Sequence, residues 1–201
     1  MKKLYITILL VIGLLSQSNA QSTYWSVNWD LTSGLGDTND FIGNISLRGL
    51  SVEGRYFINE KLTVGGFLAW KTMYEETDKD NEIDIEIDGN TGTISGTQRR
   101  YLNIYPILVN SHYYFKSGGV TPYAGIGIGG AYIEQQIDIG LRSIYSDSFG
   151  FSAQPEVGVF IPVGISSTGI NLALRYLYTS QAGELNSLST VTLAVGFGFL
   201  N

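Results

Sequence analysis

Carboxylates at alternate positions form the first group of residues in the sequence that could do chemistry. The stretch NEIDIEIDGN, residues 81–90, alternates acids with isoleucines, and two aspartates precede it; the acids are Asp78, Asp80, Glu82, Asp84, Glu86 and Asp88. Carboxylate oxygens are ligands that Ca²⁺ prefers. An EF-hand loop from Asp78 would need glycine sixth and glutamate twelfth, where Ile83 and Gly89 stand. This excludes an EF-hand and leaves a solvated strand or a loose divalent-cation site.

Nucleophilic catalysis has one candidate pair, because His112 is the only histidine and Ser111 precedes it. If the segment is a strand, adjacent side chains point to opposite faces, so the two cannot form a base–nucleophile pair. The sequence also lacks cysteine and a phosphate-binding loop. We therefore predict no enzyme and no cofactor, and interpret His112 as a packing or interfacial residue.

The charge balance and the N-terminal residues indicate where the protein resides. The formal net charge is −6, with 18 acidic and 12 basic residues, which argues against a nucleic-acid partner. The chain opens with Lys2 and Lys3, an apolar run over 4–15, and a small residue at Ala20. This order is typical of a secretory signal peptide. We predict cleavage after Ala20, with residues 1–20 as signal peptide and 21–201 as one mature domain.

The elements that must position these residues read as strands. Trp25, Val27, Trp29 and Leu31 alternate with polar residues, and a period of two is typical of a strand with one apolar face. No apolar run after the signal is long enough for a transmembrane helix. Eight segments alternate in this way, each long enough to cross a bilayer at a tilt; they cover residues 24–31, 51–58, 62–74, 100–115, 123–134, 151–161, 170–179 and 190–199.

The connections between these segments alternate strictly between short and long. Short turns lie at 59–61, 116–122 and 164–169, and longer links lie near 33–45, 75–99, 135–149 and 180–189. This alternation predicts an all-β, eight-stranded, antiparallel up-and-down transmembrane β-barrel. A soluble barrel of the lipocalin kind would place its apolar face inward. Aromatic residues near the strand ends favour the membrane alternative; they are Trp25, Trp29, Trp70, Tyr101, Tyr105, Tyr176 and Tyr178.

Several stretches carry a family resemblance. YPILVNSHYYF (105–115), TPYAGIGIGGAY (121–132), QPEVGVFIPVG (154–164) and TLAVGFGF (192–199) resemble the small bacterial outer-membrane β-barrel family, which includes OmpW-like and OmpA-like transmembrane domains. The resemblance covers nearly the whole mature chain. It implies residence in outer-membrane lipid and insertion by the outer-membrane assembly machinery. The resemblance implies an assembly signal at Phe197 and Phe199, although Leu200 and Asn201 displace it from the end of the chain.

Four charged residues fall on the inward face of the predicted strands: Glu53, Arg55, Glu156 and Arg175. A charge buried alone is costly, so each needs a partner. A turn centred at 166–167 places Glu156 diagonal to Arg175, and a turn shifted back by one residue places them directly opposite. They could brace the lumen or gate it.

Two functions remain open at this point. The first is a monomeric barrel with a structural or surface-interaction role. The second is a narrow pore for small solutes or small hydrophobic ligands, because inward glycines such as Gly125, Gly127 and Gly129 lower the filling of the lumen. For the acidic stretch we expect a strand raised above the membrane that turns near residues 88–90. Its carboxylates are either simply solvated or bridged by divalent cations to surface glycolipid phosphates.

Overall fold

The computed structural model describes residues 22–77, 97–140, 142–164, 167–181, 183 and 185–200 in full, and the backbone of 82–87 and 90–95. The predicted signal peptide, residues 1–20, lies outside the described residues. None of the described helices is long and apolar enough to cross a membrane.

The described residues form ten strands and one short helix. In chain order they are β1 (Thr23–Gly34), α1 (Asp37–Phe41), β2 (Arg48–Phe57), β3 (Leu62–Thr77), β4 (Glu82–Ile87), β5 (Asn90–Ser95), β6 (Gln98–Tyr114), β7 (Thr121–Ile139), β8 (Arg142–Pro162), β9 (Thr168–Thr179) and β10 (Leu188–Leu200). Eight strands close into a barrel in the order β1-β10-β9-β8-β7-β6-β3-β2, and β4 and β5 form a separate two-stranded sheet. All pairings are antiparallel, which confirms the predicted up-and-down barrel.

Strand periodicity determines which side chains face outward. On β1 the Trp29 side chain is 53% exposed, whereas the neighbouring Asp30 is fully buried. The same alternation on β2 exposes Leu50 and Val52 and buries Ser51 and Glu53. An apolar wall around a polar interior is the reverse of a soluble barrel, so the lipocalin alternative is wrong.

The two ends of the barrel differ as predicted. At one end, here called the turn end, β2 and β3 are joined by a turn in which Asn59 Oδ1 accepts hydrogen bonds from the backbone N–H groups of Lys61 and Leu62. Gly118 and Gly119 have positive φ in the β6–β7 turn of this end. The opposite end, here called the loop end, carries α1, the β4–β5 hairpin and the longer connections.

The loop end contains more strand than predicted. The expected third loop, 135–149, is a continuation of β7 and β8, which pair from Thr121↔Phe160 to Ile139↔Arg142 across a turn at Gly140. Pairing supplies partners for the backbone groups of this polar segment, so it extends above the apolar wall. The acidic stretch is a strand, as predicted, and its hairpin closes with Ile87 opposite Asn90. Helix α1 was not predicted.

Candidate functional site

The interior of the barrel is divided into three layers. Aromatic rings occupy the turn end, including the buried Tyr24, Tyr114, Tyr123 and Phe160. Charged and amide side chains occupy the middle. An apolar cluster occupies the loop end and consists of Ile42, Phe67, Met73, Leu102, Ile104, Leu108, Ala131, Ile133, Leu177, Leu185 and Leu188.

Arg55 links two carboxylates across the middle layer. Its guanidinium donates from Nη2 to Glu53 Oε2 at 2.7 Å and to Glu156 Oε1 at 2.8 Å. A third bond, from Nη1, reaches the Tyr114 hydroxyl at 2.9 Å. The guanidinium carbon also lies 4.2 Å from the centroid of the Tyr123 ring, within cation–π distance. Arg55 is therefore held by both the charged layer and the aromatic layer.

Arg175 joins the same carboxylates from the opposite wall. It pairs directly across the β8–β9 ladder with Glu156, the shifted-turn register of the two that the sequence allowed. Arg175 Nε donates to Glu156 Oε2 at 2.6 Å, and Nη2 approaches Glu53 Oε2 at 3.3 Å. The structure thus brings the four predicted lumen residues into one contiguous cluster, which we call the charged layer.

Two further charged residues belong to the charged layer. Asp30 Oδ1 accepts from Ser51 at 2.9 Å and lies 3.4 Å from Arg175 Nη1. Lys71 Nζ donates to Thr192 Oγ1 at 2.9 Å. Sequence reasoning did not name either residue as part of the cluster. Their place in the lumen could have been predicted from the sequence, because Asp30 and Lys71 both occupy inward-facing positions of their strands, β1 and β3.

His112 lies beside the two glutamates, on the inner wall of β6. Its Nε2 is 3.3 Å from Glu53 Oε1 and 3.5 Å from Glu156 Oε1, so the three residues offer ligand atoms close enough for a metal ion. However, both carboxylates already pair with arginines. Without counting His112, the acids Asp30, Glu53 and Glu156 balance the bases Arg55, Lys71 and Arg175. A divalent cation would leave two uncompensated positive charges in a buried site, so the arrangement favours ion pairs over a metal.

Neighbouring side chains occupy the space beside several inward glycines, which corrects the expected lowering of lumen filling. A Cβ on Gly125 would lie 2.1 Å from His112 Cδ2, and one on Gly158 would lie 2.5 Å from the Tyr123 ring. At Gly127 the nearest atom belongs to Leu108, at 3.1 Å. Each of these glycines makes room for a larger side chain from a neighbouring strand.

The loop end closes the barrel above the charged layer. Ile42, which follows α1, is fully buried in the apolar cluster, and Leu185 of the β9–β10 connection and Leu188 at the start of β10 also belong to it. Thr38 Oγ1 accepts from the Ser189 backbone N–H at 2.9 Å. Helix α1 is thereby fastened to β10 across the mouth of the barrel.

The described part of the predicted acidic stretch lies in the β4–β5 sheet, which is separate from the barrel. Glu82, Asp84 and Glu86 are on β4, whereas Asp78, Asp80 and Asp88 lie outside the described residues. At the base of this hairpin, Glu76 accepts hydrogen bonds from Tyr74 and, at 3.4 Å, from Arg99. Both hydrogen bonds lower the pKa of the Glu76 carboxyl, and the bond from Tyr74 has the larger effect.

The two phenylalanines of the expected assembly signal lie on the outward face of β10. Phe197 is 67% exposed, and Phe199 pairs with Trp25 of β1, at the seam that closes the barrel. Leu200 continues the strand and donates its backbone N–H to Ser167 O at 2.7 Å.

Comparison with known proteins decides the family. The sequence model of the outer membrane protein β-barrel domain matches residues 7–199. The chain belongs to this family. Members are outer-membrane proteins, so the exposed apolar wall of this barrel faces lipid, and the chain resides in the bacterial outer membrane.

Solved structures of outer-membrane barrels share the fold. Ail, the attachment invasion locus protein of Yersinia pestis, solved in complex with the heparin analogue sucrose octasulfate, aligns with TM-score 0.53 at 11% identity, covering 90% of this chain and 99% of that chain. Neisserial surface protein A (NspA) aligns with TM-score 0.52 at 16% identity, covering 90% and 97%. At such identities the likeness extends to the fold alone. No curated protein matches the sequence.

Proposed function

We propose that this protein is a closed, non-conducting outer-membrane barrel that anchors its loop end for structural or surface-interaction roles. The observation that carries the proposal is the charged layer, in which Glu53, Arg55, Glu156 and Arg175 bridge opposite walls of the lumen. Eight strands leave an interior only wide enough for side chains to fill it.

Both neighbouring layers support closure. An ion entering from the turn end meets the rings of Tyr114 and Tyr123, whose centroids are 5.4 Å apart. An ion entering from the loop end meets the apolar cluster around Met73 and Leu102, where it would lose hydration without gaining ligands. The alternative function, a narrow pore for small solutes or small hydrophobic ligands, requires rearrangement of all three layers.

Single-channel recording in planar bilayers tests closure. We expect the purified, refolded barrel to stay silent at moderate voltage. A stable, ion-selective conductance that scales with the number of inserted barrels would overturn the proposal and favour the pore. A heat-denatured sample of the same preparation controls for leakage caused by detergent.

We infer that the loop end selects partners by charge. Among the acids that the structure describes, Asp30, Glu53 and Glu156 lie in the lumen and Glu60 lies in a short turn, and the other ten belong to the loop end. Ail was solved with a sulfated sugar analogue. The acidic loop end here disfavours such polyanions, and we expect the barrel to pass through a heparin column at low salt. Retention that is released by salt would contradict this inference.

Divalent cations are a second candidate partner of the acidic hairpin. We favour simple solvation of its carboxylates, because the sequence lacks the glycine and glutamate that an EF-hand loop needs to enclose the ion. Calcium titration tests this, with melting temperature as the readout. No change supports solvation, and a rise that is lost when Glu82, Asp84 and Glu86 are all replaced by glutamine supports bridging to glycolipid phosphates.

The remaining functional proposals concern biogenesis and chemistry. We propose cleavage after Ala20, insertion by the outer-membrane assembly machinery through Phe197 and Phe199, and a monomeric state. Cleavage is checked by the mass of the mature protein, and the monomer by light scattering in nanodiscs. We also propose that the barrel is not an enzyme. Ser111 Oγ donates to Thr63 O at 2.9 Å, whereas His112 points into the lumen, so the two do not meet.

A further inference from the structure

A cavity of about 430 Å³ opens at the turn end of the barrel, on the side of the charged layer opposite α1. Its walls include Phe57, Phe160, Pro162 and Leu200. All four occupy inward positions of their strands, so the cavity is a vestibule inside the barrel rather than a groove on the lipid-facing wall.

The vestibule ends blindly. Tyr114 also lines it and is only 4% exposed, with its ring 5.2 Å from that of Phe57 and its hydroxyl bonded to Arg55. Arg55 is occupied by Glu53 and Glu156, so it presents no free charge to the cavity. The deep part is therefore aromatic and apolar, and the volume lies within the usual range of roughly 300–1,000 Å³ for small-molecule sites. Such a space accepts a single alkyl chain.

The rim of the vestibule carries one charge of each sign. Lys116 lies on the β6–β7 turn and Glu60 on the β2–β3 turn, and both line the cavity. Neither forms an ion pair with any residue that the structure describes. Two unpaired opposite charges around an apolar cavity complement a head group that itself holds a separated anion and cation. Outer-membrane barrels have short turns on the periplasmic side, so the turn end is at the periplasmic leaflet.

We propose that the turn-end vestibule binds a single-chain zwitterionic amphiphile of the lysophospholipid class. The alkyl chain enters the barrel toward Tyr114, the phosphate lies beside Lys116, and the ammonium lies beside Glu60. The proposal does not rest on the closed lumen, since the cavity and its two rim charges are formed by residues of the turn end.

Photo-cross-linking in nanodiscs of diacyl phosphatidylcholine tests the chain position. The probe is a dodecanoyl lysophosphatidylethanolamine with a diazirine at the end of its chain, and adducts are mapped by mass spectrometry. We expect adducts on Phe57, Tyr114 or Phe160. Ser22 also lines the cavity, so Ser22→Trp should reduce labelling by about fivefold or more through steric overpacking. Val120→Trp, at an exposed position outside the lining, should leave labelling unchanged.

Three outcomes would overturn the chain assignment. One is adducts confined to outward residues such as Tyr113, which would place the probe in the surrounding bilayer. Another is equal labelling of the wild type and Ser22→Trp, with circular dichroism showing both folded. The third is equally efficient labelling of the vestibule by a diacyl phosphatidylethanolamine probe, which would make the occupant a leaflet lipid.

Charge variants test the head group separately. Lys116→Gln should weaken binding of dodecyl phosphate about two- to fivefold, the effect of one partly exposed pair, and leave dodecyltrimethylammonium unaffected. Glu60→Gln should show the reverse pattern. Lys61→Gln is the matched control, because Lys61 is on a turn of the same end but does not line the cavity. Equal weakening by Lys61→Gln and Lys116→Gln would refute the assigned head-group position.

Discussion

Replacement of Glu156 by glutamine tests the charged layer most directly. The Glu156 carboxylate accepts from Arg175 at 2.6 Å and from Arg55 at 2.8 Å, and all three side chains are buried. Glutamine is nearly isosteric, so the change removes charge with little change in volume. Losing one partner of a buried ion pair costs about 3–5 kcal/mol. We expect the lower part of that range, because Arg175 retains contacts with Glu53 at 3.3 Å and Asp30 at 3.4 Å.

The reciprocal change, Arg175→Gln, leaves the charged layer with one excess negative charge instead of one excess positive charge. The double variant restores neutrality and also removes the partner that each single variant leaves unpaired. We therefore expect the double variant to cost less than the sum of the singles, by about 1–3 kcal/mol, as is usual for residues in one network. This is the energetic signature of direct contact.

Urea unfolding in lipid vesicles measures all four members of the cycle. Tryptophan fluorescence is the readout, because all three tryptophans, Trp25, Trp29 and Trp70, lie exposed on the outer wall. The matched control is Glu76→Gln with Arg99→Gln, an ion pair at 3.4 Å that is about half exposed and should show little coupling. Strict additivity of the Glu156 and Arg175 effects would refute the reasoning and leave Glu53 and Arg55 as the pair that holds the lumen.

Three further predictions follow from local contacts. Gly125→Ala should destabilise the barrel by about 1–3 kcal/mol in the same unfolding assay, since its Cβ would meet His112; Gly66→Ala, with open space around its Cβ, should not. Glu76 has a folded-state pKa below the ordinary value of about 4.5, so its contribution to stability is complete above that pH and is lost as pH falls through the folded pKa; Glu76→Gln should flatten this part of the urea-midpoint profile. Deletion of residues 199–201 should abolish membrane insertion, measured by protease protection in whole cells, and normal assembly would contradict an assembly signal at the C-terminal strand.

The number of strands and the face on which each side chain lies could be predicted, because apolar and polar residues alternate along every strand of a membrane barrel. The alternation of short and long links predicted the connectivity. Trp29 beside Asp30 is sufficient to assign both faces of β1 once lipid is recognised as the outer solvent. Strand length beyond the membrane was not predictable in this way. Residues 135–139 and 142–149 are too polar for the apolar pattern, yet they pair because the ladder continues in water.

The charged layer was only partly predictable. Alternation along a strand tells which residues face the lumen, but not how far along the barrel axis each one lies. The register of the β8–β9 hairpin predicts that Glu156 and Arg175 meet. Their contact with Glu53 and Arg55 depends on the shear that brings β2 and β8 to the same height across the lumen. The prediction that inward glycines leave the lumen less filled was wrong for a related reason. An inward glycine reads as empty space in a single strand, whereas a side chain on the neighbouring strand, such as His112 over Gly125, occupies that space.

The layered interior gives the two ends of this barrel separate chemistry. Without counting His112, the charged layer has equal numbers of acids and bases, and it lies between the apolar cluster and the aromatic layer. The loop end carries ten of the described acids, and the turn end carries Glu60 and Lys116 at the rim of an apolar vestibule. A conducting barrel would have to tune its lumen for a permeant solute. In the closed barrel that we propose, the lumen contributes only rigidity, so its two ends are free to bind the different partners that we propose for them, cationic partners at the loop end and a zwitterionic amphiphile at the turn end.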